Sequence, residues 1–334
     1  LGSDNLMWNS IGEGFFIGMS NIAFAITNYF SSQEDGCKLS REESKKIYKK
    51  MEKKLKSHGA WIGKWTFILA ATGSAVGLGN IWGFPYKAGT NGGGAFVLIY
   101  LLCILMIGVP IMISEIIIGR RAGNSPINAM KRTALDSNTT SLWKFVGWSG
   151  ITAGILILSF YSVIAGICLN YIFIAAFSDG ILSSSEQFGA VIESPTNLLF
   201  WHSIFMLLTF LIVSAGVKNG IGRMVKILMP MLGFLLIFMV LYAMFNGAFA
   251  KALSFLFAPD FSSVTSETFL SAMGQAFFSL SLGMGSIMAY GAYMPKDQKV
   301  VPTSFTVASL DTLVAMLAGL AIFPIIFAFN LEPN

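Results

Sequence analysis

ATGSAVGLGNIWGFP, residues 71–85, decides how this chain is read. It lies inside an apolar run long enough to cross a membrane, yet carries Gly73, Gly77 and Gly79 and ends on Pro85. Glycine costs a helix interior about 1 kcal/mol relative to alanine, and proline about 3. In hydrocarbon each unpaired N–H or C=O costs several kcal/mol, so non-helical backbone persists at membrane depth only where it lines a cavity or meets a ligand. Gly73 and Gly77 also form a GxxxG pair, the pattern of close helix packing. The stretch alone leaves both readings open.

Working outward, composition sets the class. Apolar residues make up 54% of the 334 and charged residues 12%, far from a soluble domain. Seven apolar segments approach or exceed the span of a hydrocarbon core. They are Trp65–Tyr86, Ala95–Ile118, Leu142–Phe177, Leu198–Val213, Val225–Phe245, an interrupted Phe269–Tyr293 and Val301–Phe329. None alternates with the two-residue period of a barrel strand. The expectation is an all-α, polytopic helical membrane protein.

Basic residues orient it. Arg120, Arg121, Lys131, Arg132 and Lys144 flank the second and third spans; Lys218, Arg223 and Lys226 join the fourth and fifth; Lys296 and Lys299 join the sixth and seventh. The alternate loops, 178–197 and 246–267, are nearly free of Lys and Arg. By the positive-inside rule the basic loops and the segment before Trp65 face the cytoplasm of a plasma membrane. The net charge of +5 is thus a topology signal, and no nucleic-acid partner is expected. Residues 1–60 form an atypical segment ahead of a 61–334 core: Ile11–Phe30 reads as a spanning or interfacial helix, followed by a basic helix that opens on a Ser40–Glu43 capping box. Cys37, Cys103 and Cys168 make no redox or disulfide motif. With His58 and His202 as the only histidines, and no metal or nucleophile spacing, the chain reads as no enzyme.

A second broken span changes the balance. In SAMGQAFFSLSLGMGSIMAYGAY, residues 271–293, Gly283 and Gly285 interrupt an apolar helix midway, beside Ser279 and Ser281. Breaks in corresponding spans point to a transporter's mid-membrane site. Half-helix N-termini suit an anion and bare carbonyls a cation, so an α-amino acid fits both. Asp311, deep in the last span, is a third sign, because a carboxylate at the bilayer centre costs at least about 2.5 kcal/mol. Glu115, nearer a helix end, reads as a paired structural carboxylate.

GSAVGLGNIWGFPYKAGTNGGGAF (73–96), GQAFFSLSLGMGSIMAYGAY (274–293) and KNGIGRMVKILMP (218–230) resemble bacterial members of the neurotransmitter:sodium symporter family. The resemblance runs from about Trp61 to the chain end. It implies an inverted-repeat fold, spans one and six unwound at their centres, and sodium-coupled amino-acid uptake by alternating access. By position, one sodium would meet the Ala75 carbonyl, Asn80, Ser279, Asp311 and the substrate carboxylate. A second would meet the carbonyls of Gly73 and Val76, completed from an eighth span. The substrate carboxylate would meet the amides of Leu78 and Gly79 and the Tyr161 hydroxyl. Its ammonium would meet carbonyls of Ala75, Phe278 and Ser281, within a pocket of Ser74, Ile157, Phe278, Ser281 and Met284. Gly77 stands where monoamine transporters of the family carry aspartate, which favours a substrate bringing its own carboxylate. Met284 replaces a phenylalanine, and a flexible thioether admits large apolar or aromatic side chains. Asp311 implies chloride-independent transport, since a carboxylate already balances the sodium. The Gly220–Pro230 spacing implies a helix start that unwinds to admit water. A membrane receptor or scaffold using the same pocket is the alternative.

The chain departs from the family pattern in three ways. Gly83 replaces the arginine of the outer gate, leaving closure to Tyr161 against Phe278 or to Lys87. His58 stands where a basic residue locks the inner gate. The sequence stops at Asn334, after the seventh span, which reads as an N-terminal portion of a transporter.

Overall fold

Long apolar runs predict long helices, and the computed structural model, which describes residues 64–177, 184–295 and 298–333, has no strand among the described residues. Ile11–Phe30, the Ser40–Glu43 capping box and His58 lie outside them. The helices are α1 (Lys64–Ala75), α2 (Phe84–Thr90), α3 (Gly94–Ala122), α4 (Pro126–Asp136), α5 (Ser141–Phe177), α6 (Ser184–Ile192), α7 (Pro195–Ser214), α8 (Asn219–Asn246), α9 (Phe249–Phe257), α10 (Ser266–Ser279), α11 (Ser286–Ala292) and α12 (Val300–Ala328). Of these, α3, α5, α7, α8 and α12 are each long and apolar enough to cross a membrane. Trp65–Ala75 and Gly79–Thr90 qualify together, bent by 54° at the break.

Local chemistry sets several boundaries. Prolines open α2, α4 and α7, where a missing N–H costs nothing. Gly123, at φ +60°, closes α3 by donating its N–H to the Gly119 carbonyl. Thr265 and Thr268 cap α10 reciprocally. Three helices fall where the sequence suggested loops: α4, α6 and α9. None of the three is long enough to be a span. At the Gly220 position the chain forms a π-helical turn, Val217–Ile221, that runs directly into α8, with Pro230 inside the helix.

The chain divides into two compact units, one containing Ile151–Gly216 and the other drawing on Leu55–Gly150 and Val217–Asn334. The larger unit has a core of Phe67, Phe84, Phe96, Tyr100, Leu280 and Phe323. Phe84 and Tyr100 meet at 5.1 Å between ring centres. Its helices approach through glycines. Gly119 faces the Met288 carbonyl, and a Cβ on Gly291 would stand 2.8 Å from the Ile116 carbonyl, so α3 and α11 pack backbone to backbone. Lipid tails are as apolar as leucine, so contact this close supplies what the hydrophobic effect cannot. In the smaller unit Gly166 plays the same part against the backbone of His202.

Candidate functional site

Both glycine-broken stretches depart from α-helix at mid-length. α1 ends at Ala75, Val76 and Gly77 are irregular, and a π-helical turn runs from Gly79 to Gly83. α10 ends at Ser279, and the chain stays irregular from Leu280 to Gly285. Ser281, Gly283 and Gly285 lie at φ +53°, +79° and +75°. Two of the three are glycines, which reach that region at no steric cost. Ser281 is held there.

The breaks release backbone groups. The Gly77 N–H turns to the Asn80 side chain at 3.1 Å, and the Gly77 carbonyl receives Asn80 and Ile81. The α-helical run stops at Ala75 and resumes only past Gly77, so the regular backbone ladder is interrupted across Val76 and Gly77. Unsatisfied groups at membrane depth are costly unless a ligand meets them.

The two stretches touch. The Ser281 hydroxyl donates to the Ser74 carbonyl at 3.0 Å. Asn80 Nδ2 donates to Ser279 Oγ at 3.0 Å and to Asp311 Oδ1 at 2.8 Å. Ser279 Oγ donates to Asp311 Oδ2 and accepts from the Tyr100 hydroxyl. Asn80, Ser279 and Asp311 are all 0% exposed. Asp311 thus sits in a closed shell of neutral donors, and among the described residues no Lys, Arg or His forms an ion pair with it. A buried carboxylate without a counter-charge must take up a cation or a proton. The surrounding donor set is oxygen and amide, which suits a hard cation such as sodium; among the described residues no cluster of His, Cys, Asp and Glu suits a softer metal.

The predicted residues fall in two places. Gly73, Ser74, Ala75, Val76, Leu78, Gly79, Asn80, Phe278, Ser279, Ser281, Met284 and Asp311 belong to the larger unit. Ile157 and Tyr161 stand on α5 within the smaller one. Three supporting residues escaped the sequence reading or were undervalued by it. Gln275, fully buried, donates Nε2 to the Gly79 carbonyl at 2.7 Å and ties the π-helical turn to α10. Tyr100 closes the shell around Asp311 through Ser279. Glu115 Oε1 receives the Gly283 N–H at 2.7 Å, so the carboxylate braces the second break from α3. A glutamine in an apolar run was the available signal for the first; nothing in the spacing pairs Glu115 with residue 283.

Comparison with known proteins gives a consistent picture. The family model described as the sodium:neurotransmitter symporter family matches residues 58–184 and 184–331. The sodium-dependent transporter YhdH of Bacillus subtilis (strain 168) is 44% identical over 281 residues, 82% of this chain and 61% of the relative. A sodium-dependent transporter of Haemophilus influenzae is 33% identical over 291 residues, 84% of this chain and 63% of the relative. The crystal structure of MhsT in complex with L-phenylalanine superposes with a TM-score of 0.76 at 46% identity, over 82% of this chain and 63% of that one. The chain spans about three-fifths of the length of these relatives.

Proposed function

The chain belongs to the sodium:neurotransmitter symporter family, and on that premise we propose that it serves sodium-coupled uptake of large apolar or aromatic L-amino acids by alternating access. One observation carries the reading. Two interrupted spans meet beside a buried carboxylate that lacks a protein counter-charge among the described residues. A zwitterion and an alkali cation together satisfy what that arrangement leaves unpaired.

In this reading the amides of Leu78 and Gly79 hold the substrate carboxylate. The carbonyls of Ala75, Phe278 and Ser281 hold its ammonium, and Ser74 and Met284 line the side-chain pocket. One sodium stands among the Ala75 carbonyl, Asn80, Ser279 and Asp311; a second uses Gly73 and Val76. Asn80 now points its amide N–H groups at Ser279 and Asp311. Turning that amide over presents its oxygen to the cation and releases the Gly77 N–H that now donates to it. Asp311 balances the sodium charge, which removes the need for chloride. MhsT, 46% identical over the matched region, is solved with L-phenylalanine, which supports an aromatic substrate here. The basic loops face the cytoplasm of a plasma membrane. One sodium descending about 100 mV releases roughly 2.3 kcal/mol, on the order of 50-fold accumulation.

Scintillation proximity binding across the twenty amino acids, in sodium or in choline, tests the proposal. Aromatic and large aliphatic amino acids should bind, and only in sodium. Binding that survives in choline, or that selects small polar amino acids, would overturn it. Sodium-dependent binding without accumulation in proteoliposomes holding the completed protein would favour the receptor reading.

A further inference from the structure

The rim of the larger unit that carries the turns around α4 is strongly basic. Between Gly119 and Gly150 stand Arg120, Arg121, Lys131, Arg132 and Lys144, five bases against one acid, Asp136, for a net charge of +4. α4 buries Pro126, Ala129 and Ala134 and leaves Lys131 and Arg132 exposed. Arg121 meets Asp136 at 3.7 Å, but both side chains are about half exposed, at 57% and 44%, so the pair neutralises little. α4 packs on the short turn Ser141–Trp143. From there Leu142, Trp143, Phe145 and Trp148 are exposed along the start of α5. Tryptophans beside cations mark the level of lipid headgroups.

We propose that this rim is a docking surface for anionic phospholipid headgroups. Charge complementarity selects the partner. Each Lys or Arg near an anionic leaflet favours contact by about fivefold. The neighbouring rings hold the acyl boundary, so a lipid phosphate, rather than a free one, satisfies both halves of the surface.

The rim also reaches the interior. Pro126, the first residue of α4, stands so close to Gly285 that a Cβ there would lie 2.9 Å from the proline Cβ. A Cβ on Gly150 would lie 2.7 Å from the Gly283 carbonyl. No side chain separates these segments from the irregular stretch that holds Met284. A headgroup that fixes α4 therefore favours one position of residues 283–285 and strengthens substrate binding. That consequence rests on the proposed amino-acid site; the lipid docking does not.

The test reconstitutes the full chain in nanodiscs of equal parts phosphatidylglycerol and phosphatidylcholine, then counts retained lipids by native mass spectrometry. The wild type should retain phosphatidylglycerol preferentially. An Arg121→Gln/Lys131→Gln variant should lose that preference, by on the order of 25-fold if the two charges act independently. The charge-keeping Arg121→Lys/Lys131→Arg variant should hold it, as should Lys251→Gln on α9. Equal retention of the two lipids by the wild type, or an unchanged ratio in the glutamine variant, would overturn the proposal. L-Phenylalanine binding should be severalfold tighter in phosphatidylglycerol discs than in phosphatidylcholine discs, and equal affinity in both would overturn the coupling. Because the lipid count needs no substrate, failure of the amino-acid reading leaves its outcome readable.

Discussion

Ser281 offers a test in which two effects of opposite sign can be separated. It is held at φ +53°, a region that costs an L-residue roughly 1–2 kcal/mol. Its hydroxyl donates to the Ser74 carbonyl at 3.0 Å, a neutral bond contributing about 1 kcal/mol. Ser281→Ala removes the bond and keeps the strained backbone, so it should destabilise by about 1 kcal/mol. Ser281→Gly removes the same bond but relieves the strain. Glycine's extra freedom in the unfolded chain takes back roughly 0.5–1 kcal/mol of that relief. Glycine should therefore sit about 0.5–1 kcal/mol above alanine and close to the wild type. The assay is the melting midpoint of detergent-solubilised protein without ligand, read by fluorescence-detected size exclusion. The expected order is serine and glycine together, alanine below. Glycine melting below alanine would show that the backbone at residue 281 is not held at a cost, and the second break would lose its account as a braced, irregular segment.

Two further outcomes follow from the same contacts. Glu115→Gln replaces a charge-assisted bond to the Gly283 N–H with a neutral one, a loss of about 1 kcal/mol, so substrate binding should weaken about fivefold; an unchanged Kd in radioligand saturation would mean that the brace does not reach the pocket. Replacing chloride with gluconate should leave sodium-dependent binding unchanged, because Asp311 supplies the negative charge; a chloride requirement would remove that role from Asp311.

Much of this architecture was open to reading before any coordinates, for a physical reason. Lipid demands continuous apolar helix, so each span announces itself by length, and each violation, such as Gly77 or Gly283, stands out against it. Asp311 was legible on the same ground, as a charge where none is tolerated without a purpose. Less legible were features that violate nothing. The π-helical turn at Ile104–Gly108 inside α3 changes hydrogen-bond register without changing hydropathy. Gly119, Gly150 and Gly291 look like ordinary small residues until a neighbouring carbonyl is seen to occupy the space a Cβ would need. Gln275 and Glu115 act across 196 and 168 positions of sequence, and no local period encodes partners that far apart. α4 and α9 lie outside the spans, where polar and apolar residues mix freely and the lipid constraint no longer informs.

Whether an alkali ion and an amino acid share one mid-membrane site beside Asp311 is best measured by equilibrium binding of sodium-22 to wild type and Asp311→Ala, with L-phenylalanine at saturation. The variant should bind one sodium fewer per chain and lose amino-acid affinity in the same titration. An equal sodium count in the two proteins, with phenylalanine held as tightly in both, would contradict the account.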